Sequence, residues 1–246
     1  MTVSVIDDTQ RKAAKVAGFA YIATFAVVVW ANYAISERLI AGNAAQTAQN
    51  IIANERLFRI NIACNVFYAA GTLVLLTALY TILRPVGRNL ALLAALSRLV
   101  YALMWIALAL NLFDVLRLLT GADYLQAFEP DRLQGLARLR IRAASDAYYV
   151  GLVFYGMAST LCSYLWLKSR YIPRALAAFG LIVSAWAVIC SFIFFVFPDF
   201  PKTVNLYWFD SGLGIFEVTL AFWLLFKGLS PSRPLESDPT TRDIAG

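Results

Sequence analysis

The chain has 246 residues, of which 61% are hydrophobic and only 15% charged, with a formal net charge of +6 and a mean hydropathy of +0.67. Soluble domains carry about 45–50% apolar and about 25% charged residues, so the composition excludes an ordinary soluble domain. The basic excess sits at the ends of apolar blocks, where it anchors and orients membrane spans, and does not describe a nucleic-acid surface. Histidine is absent, which excludes histidine-ligated haem, histidine-based zinc or iron sites and Ser–His–Asp chemistry.

Six apolar blocks are long enough to cross a hydrocarbon layer of ~30 Å, which needs about 20 residues. They lie near 14–36, 58–83, 89–117, 144–167, 174–198 and 210–228. The pattern predicts an all-α, six-span bundle over 14–228, preceded by a cytoplasmic segment, 1–13, and followed by a disordered cytoplasmic tail, 229–246. The first block is longer than the core of a signal peptide and reads as an uncleaved span.

The connections "RPVGR" and "KSRYIPR" are short and free of acids, and they carry Arg84, Arg88, Lys168, Arg170 and Arg174. Arg11, Lys12, Lys15, Lys227 and Arg233 add to the same side. Short basic loops mark the cytoplasmic face, so both termini are expected inside, in a bacterial inner membrane. Arg138, Arg140 and Arg142 fall on the opposite side, in a loop shared with Asp123, Glu129 and Asp131. The two long outer loops each suggest a short interfacial helix: one through Ile51, Ile52 and Leu57, the other through Leu133, Leu136 and Leu139. A lid over a cavity is the functional alternative for both.

Cys64, Cys162 and Cys190 are single residues within apolar blocks and lack metal-ligand spacing. Every lysine falls at or beyond a span end, which argues against a retinal Schiff base in the bundle. Neither a cofactor nor a metal is implied.

The third span contains the most informative residue. Nine residues from Asn89, at ~1.5 Å each, put Arg98 about 14 Å deep, near mid-bilayer. Ala91, Ala94, Ala95, Tyr101, Ala102 and Trp105 share its face, and such a small-residue face turns toward other helices. The sixth span enters from the other side at Tyr207 and Trp208, and Glu217 reaches the same depth. A lone charge in hydrocarbon costs far more than a paired one, so Arg98 and Glu217 are expected to meet.

Other polar residues crowd the outer half. Asn61, Asn65 and Tyr68 form a stripe on the second span with Arg59 at its mouth. Asn111, Asp114 and Arg117 recur every three residues on the third. Asp146 opens the fourth span, with Tyr149 a turn deeper, while Asn32 and Tyr33 close the first and Asp210 shares the face of Glu217. Converging stripes would line an outward-facing cavity floored by Arg98 and Glu217. Each also has a plain structural role: interhelical hydrogen bonds for the asparagines, a solvated pair for Asp114 and Arg117, and helix capping for Asp146.

"RKAAKVAGFAYI", "NERLFRINIACNVF", "LYTILRPVGRNLALLAALSRLV" and "YIPRALAAFGLIVSAWAV", together with the late Glu217, resemble the bacterial membrane family catalogued as domain of unknown function 4386 over about residues 11–228. The resemblance implies a multi-helix inner-membrane protein of unassigned activity and carries over no catalytic residues, although Glu55, Arg56, Arg59 and Arg98 fall in the similar stretches. Three functions then compete. The first is binding or metal-independent acid–base conversion of a small lipophilic, lipid- or isoprenoid-like molecule. In that reading Glu217, Arg98 and Asp146 act on it, and Arg59, Asn61, Asn65, Tyr68, Tyr101, Trp105, Asn111, Asp114 and Tyr149 line its site. The second is a small transporter gated by the Arg98–Glu217 pair. The third is a sensor or assembly subunit without chemistry. Membrane lipids are the expected surroundings and nucleic acid is not an expected partner.

Overall fold

In the computed structural model, residues 6–121, 128–197, 199–200 and 206–230 are described, 206–210 by their backbone alone. Every element among them is helical. Five helices are long and apolar enough to cross a membrane: α1 (Asp8–Leu39), α3 (Glu55–Leu83), α4 (Arg88–Leu119), α5 (Pro130–Ser169) and α6 (Arg174–Val196). Between α1 and α3 lies the short helix α2 (Ala44–Ala53). The last helix, α7 (Leu206–Phe222), continues into a π-helical turn over Trp223–Lys227. The long helices run up and down, and the short α3–α4 turn marks one end of the bundle, called here the turn end, opposite the α2 end.

Local chemistry sets these limits. The Asp7 side chain accepts from the Gln10 N–H at 2.6 Å and the Gln10 side-chain oxygen accepts from the Asp7 N–H, so a capping box starts α1 at Asp8, ahead of the expected residue 14. The Gln10 amide also donates to the Ile82 carbonyl at 2.9 Å, tying the start of α1 to the end of α3. At its far end α1 passes through a π-helical turn over Trp30–Ser36 and runs on to Leu39, so Asn32 and Tyr33 do not close it.

Helix α5 departs most from the sequence expectation. It is one helix of 40 residues, about 60 Å long, and no separate interfacial helix exists around Leu133–Leu139. Pro130 occupies the first turn, where its missing N–H costs nothing, and the next proline is Pro173, so nothing interrupts the backbone. Ala137, Ile141 and Ala144 are buried, whereas Leu136 and Leu139 are exposed. The other expected interfacial helix is present as α2, capped by Asn43 and burying Ile51 while Ile52 stays outside.

Close approach between helices uses glycine. A Cβ on Gly18 would sit 2.8 Å from the Ala221 carbonyl oxygen, so α1 lies almost backbone to backbone on α7. Gly180 of α6 gives the same room to the Phe216 ring of α7. At the turn end, Trp166, Tyr171, Leu83 and Leu224 share one core, and the Ser230 N–H donates to the Tyr171 carbonyl at 2.9 Å. Leu229 and Ser230, assigned by sequence to the tail, are therefore packed on the bundle. Asp123, Lys202, the side chains of Tyr207, Trp208 and Asp210, and residues 231–246 lie outside the described residues.

Candidate functional site

Arg98 and Glu217 are 3% and 7% exposed, Arg98 about a third of the way along α4 and Glu217 about two thirds of the way along α7, both nearer the turn end. The Arg98 Nη2 and Glu217 Oε1 atoms are 3.9 Å apart, close enough for ionic attraction and too far for a direct hydrogen bond. The guanidinium donates instead to the Tyr21 hydroxyl of α1 at 3.2 Å. Its carbon lies 5.7 Å from the Tyr21 ring centroid and 5.6 Å from that of Tyr155 on α5, within cation–π range. Four helices thus supply one charged centre.

Sequence reasoning missed Tyr21 and Tyr155. The signal was there in principle, since a tyrosine deep in a span needs a polar partner for its hydroxyl. Without knowing which helices adjoin, nothing directed either residue to Arg98.

Toward the α2 end the structure stacks aromatic rings where an open cavity was expected. Tyr155 lies 4.7 Å from Tyr101, Tyr68 lies 4.3 Å from Trp105, and Trp105 meets Tyr148 at 5.9 Å between centroids. Tyr149 stacks on Phe194, which in turn meets Phe200. The Tyr68 and Tyr101 hydroxyls are 3.1 Å apart. The predicted lining residues Tyr68, Tyr101, Trp105 and Tyr149 do come together, but as a packed array, because aromatic side chains are large enough to fill the space between three helices.

The other predicted site residues divide. Asn61 donates to Ser36 Oγ in the π-helical turn of α1 at 2.8 Å, and Asn65 donates to the Asn61 side chain at 2.8 Å, so this stripe forms an interhelical polar contact. Asn111 donates to the Ala107 carbonyl in its own helix. Arg59 is exposed and pairs with Glu55 at 2.7 Å; it marks no mouth. Asp114 is held by Arg117 at 3.2 Å and by Arg140 at 3.5 Å, a half-exposed cluster joining α4 to α5. Asp146 is exposed and lies well inside α5, so it neither caps a helix nor faces the buried charges. Arg138 also has structural work, donating to the Ala41 and Gly42 carbonyls at 2.8 and 3.2 Å and so clamping the connection between α1 and α2.

On the turn-end side of Arg98 a narrow crevice of about 10 Å³ runs between α3 and α4. It is lined chiefly by Leu76, Leu79, Tyr80, Ala94, Ala95 and Arg98, with Cys162 of α5 beside them.

The family model described as a domain of unknown function, DUF4386, matches residues 16–228. The chain belongs to this family. An uncharacterized protein of the archaeon Archaeoglobus fulgidus is 25% identical over 179 residues, covering 70% of this chain and 90% of that protein. No solved structure matches the chain. This DUF4386 member is an integral membrane protein of unassigned activity, and its buried charged centre lies within the region the family shares.

Proposed function

We propose that this DUF4386 protein crosses a bacterial inner membrane six times, with both termini in the cytoplasm, and binds a small lipophilic, lipid- or isoprenoid-like molecule at the Arg98–Glu217 centre. Glu217 serves there as a metal-independent proton donor or acceptor. The bundle expected over 14–228 extends to Asp8 at one end and Ser230 at the other, with α7 as its sixth span. Support for α7 comes from its direction: it lies against α1 at Gly18, and the chain just beyond it is bonded to Tyr171 at the turn end, where α1 begins.

One observation carries the binding reading. A guanidinium offers five N–H donors, and the one hydrogen bond described from Arg98 is that donated to the Tyr21 hydroxyl. Arg–carboxylate pairs are frequently short and bidentate, whereas the 3.9 Å separation here leaves guanidinium donors available to a third group. A transporter would be helped by broken helices, but Gly71 and Gly180 lie inside continuous helices and make room for Thr24 and Phe216.

Native mass spectrometry of the full chain, released from its own membrane in mild detergent, tests the reading. A retained lipophilic adduct in the wild type that disappears in Arg98→Gln, with helical circular dichroism unchanged, supports it. Wild-type protein free of any adduct across several mild detergents rejects it and leaves the pair as an assembly element.

A further inference from the structure

Binding at Arg98 requires a way in, and the crevice between α3 and α4 has the required features. Arg98 lines its inner end and is the only charged group in the lining. The walls are otherwise leucine and alanine, with Tyr80 and Cys162. Leu76, Tyr80 and Ala95 are half-buried, which places the mouth on the outer surface of the bundle, at the seam between two membrane-crossing helices. Leu92 and Leu96 beside it are exposed, as suits a surface against lipid. From Leu83 to Leu76 the crevice follows two turns of α3, about 10 Å. As it stands the crevice has room for about one water-sized group, so an entering molecule must part the leucine side chains, and a single unbranched chain displaces them less than a ring system does. Arg84 and Arg88, in the turn just beyond, are exposed, and no acid lies in that turn. Such a basic rim attracts anionic headgroups.

Resting on the binding reading above, we propose that this seam is a lateral entry by which a long-chain carboxylic acid passes from the hydrocarbon to Arg98. Charge balance dictates the form in which it travels. Arg98 and Glu217 together are neutral, and a carboxylate added to them would leave a net negative charge in the membrane, which is costly. The acid therefore enters protonated; its O–H bond breaks, the proton passes to Glu217, and the carboxylate left behind takes the Arg98 guanidinium. Three groups then share one positive and one negative charge, and no outside reactant is needed.

The full-length protein in lipid nanodiscs, photolabelled with a diazirine-bearing palmitic acid and mapped by peptide mass spectrometry, tests this. Labelling is expected to saturate, to fall on residues 76–83 and 91–95, and to be displaced by palmitate but not by hexadecanol. Ala95→Phe, which fills the mouth without touching the charges, should lower it at least tenfold. Glu217→Gln, which presents a permanently neutral partner, should strengthen capture of the carboxylate about tenfold and remove its coupling to proton uptake. Labelling that never saturates, or that saturates among the aromatic rings of α5 and α6, overturns the entry route. A lipophilic adduct retained in native spectra alongside either of those results leaves the binding reading intact, so the two failures are distinguishable.

Discussion

Arg98 is tolerated in a membrane because its charge is spread over three neighbours: the Glu217 carboxylate, the Tyr21 hydroxyl and the faces of Tyr21 and Tyr155. Removing one partner of a buried pair typically costs about 3–5 kcal/mol because the survivor is left uncompensated, whereas replacing both with apolar residues of similar size is often neutral. Arg98→Met and Glu217→Met should thus each lower the thermal stability of the detergent-solubilised protein sharply, and the double variant should recover most of it. Additive losses in the double variant would show that the two charges act independently. Tyr21→Phe isolates a smaller part of the same centre. It keeps the ring under the guanidinium and deletes one hydrogen bond to a charged group, worth about 1.5–3 kcal/mol, so its melting shift should fall between the wild type and Arg98→Met.

At the scale of the helix, the hydrophobic blocks and their flanking arginines were legible in the sequence because they depend on one helix at a time. The course of α5 was not. Its first half is polar on the surface and buries only Ala137, Ile141 and Ala144, so an apolar count reads it as loop, yet no residue in it stops a helix. The site was half legible for the same reason. Arg98 and Glu217, 3.9 Å apart, could be brought together by counting residues along their own helices, whereas Tyr21 and Tyr155 depend on which helices adjoin, and the aromatic filling depends on side-chain volumes summed over three of them. Adjacency here is set by small residues, and this can be tested directly. Gly180→Leu would drive a side chain into the Phe216 ring and the Ser163 hydroxyl, an overpacking that costs about 1–3 kcal/mol, and would disturb Glu217 one residue beyond Phe216. Gly42→Ala, with nothing within 4 Å of the new carbon, should stay within about 0.5 kcal/mol. Comparable melting shifts in the two variants would sink the close-packing account of α6 on α7.

For the whole molecule, the direction of each helix relative to the membrane decides which leaflet feeds the crevice. The turn end gathers Arg84, Arg88, Lys168, Arg170 and Arg174, along with the start of α1 and the end of α7. At the opposite end several arginines are held locally: Arg138 by backbone carbonyls, Arg140 by Asp114, and Arg59, Arg117 and Arg132 by acids three or four residues away. Lysines and arginines in short loops retain a segment in the cytoplasm, so the turn end is expected inside and the crevice opens to the inner leaflet. A fluorescent protein that folds only in the cytoplasm, fused after Gly246, should therefore fluoresce, while alkaline phosphatase at the same place should be inactive. A cysteine at Gly42, at the α2 end, should react with an impermeant maleimide in spheroplasts, and one at Arg84 only in inverted vesicles. The two reporters separate the failures. An active C-terminal phosphatase with the maleimide pattern intact would mean that α7 does not cross and that Glu217 enters the bundle on a re-entrant segment. A reversed maleimide pattern would turn the bundle over and place the entry in the outer leaflet, where acids delivered from outside the cell would reach it first.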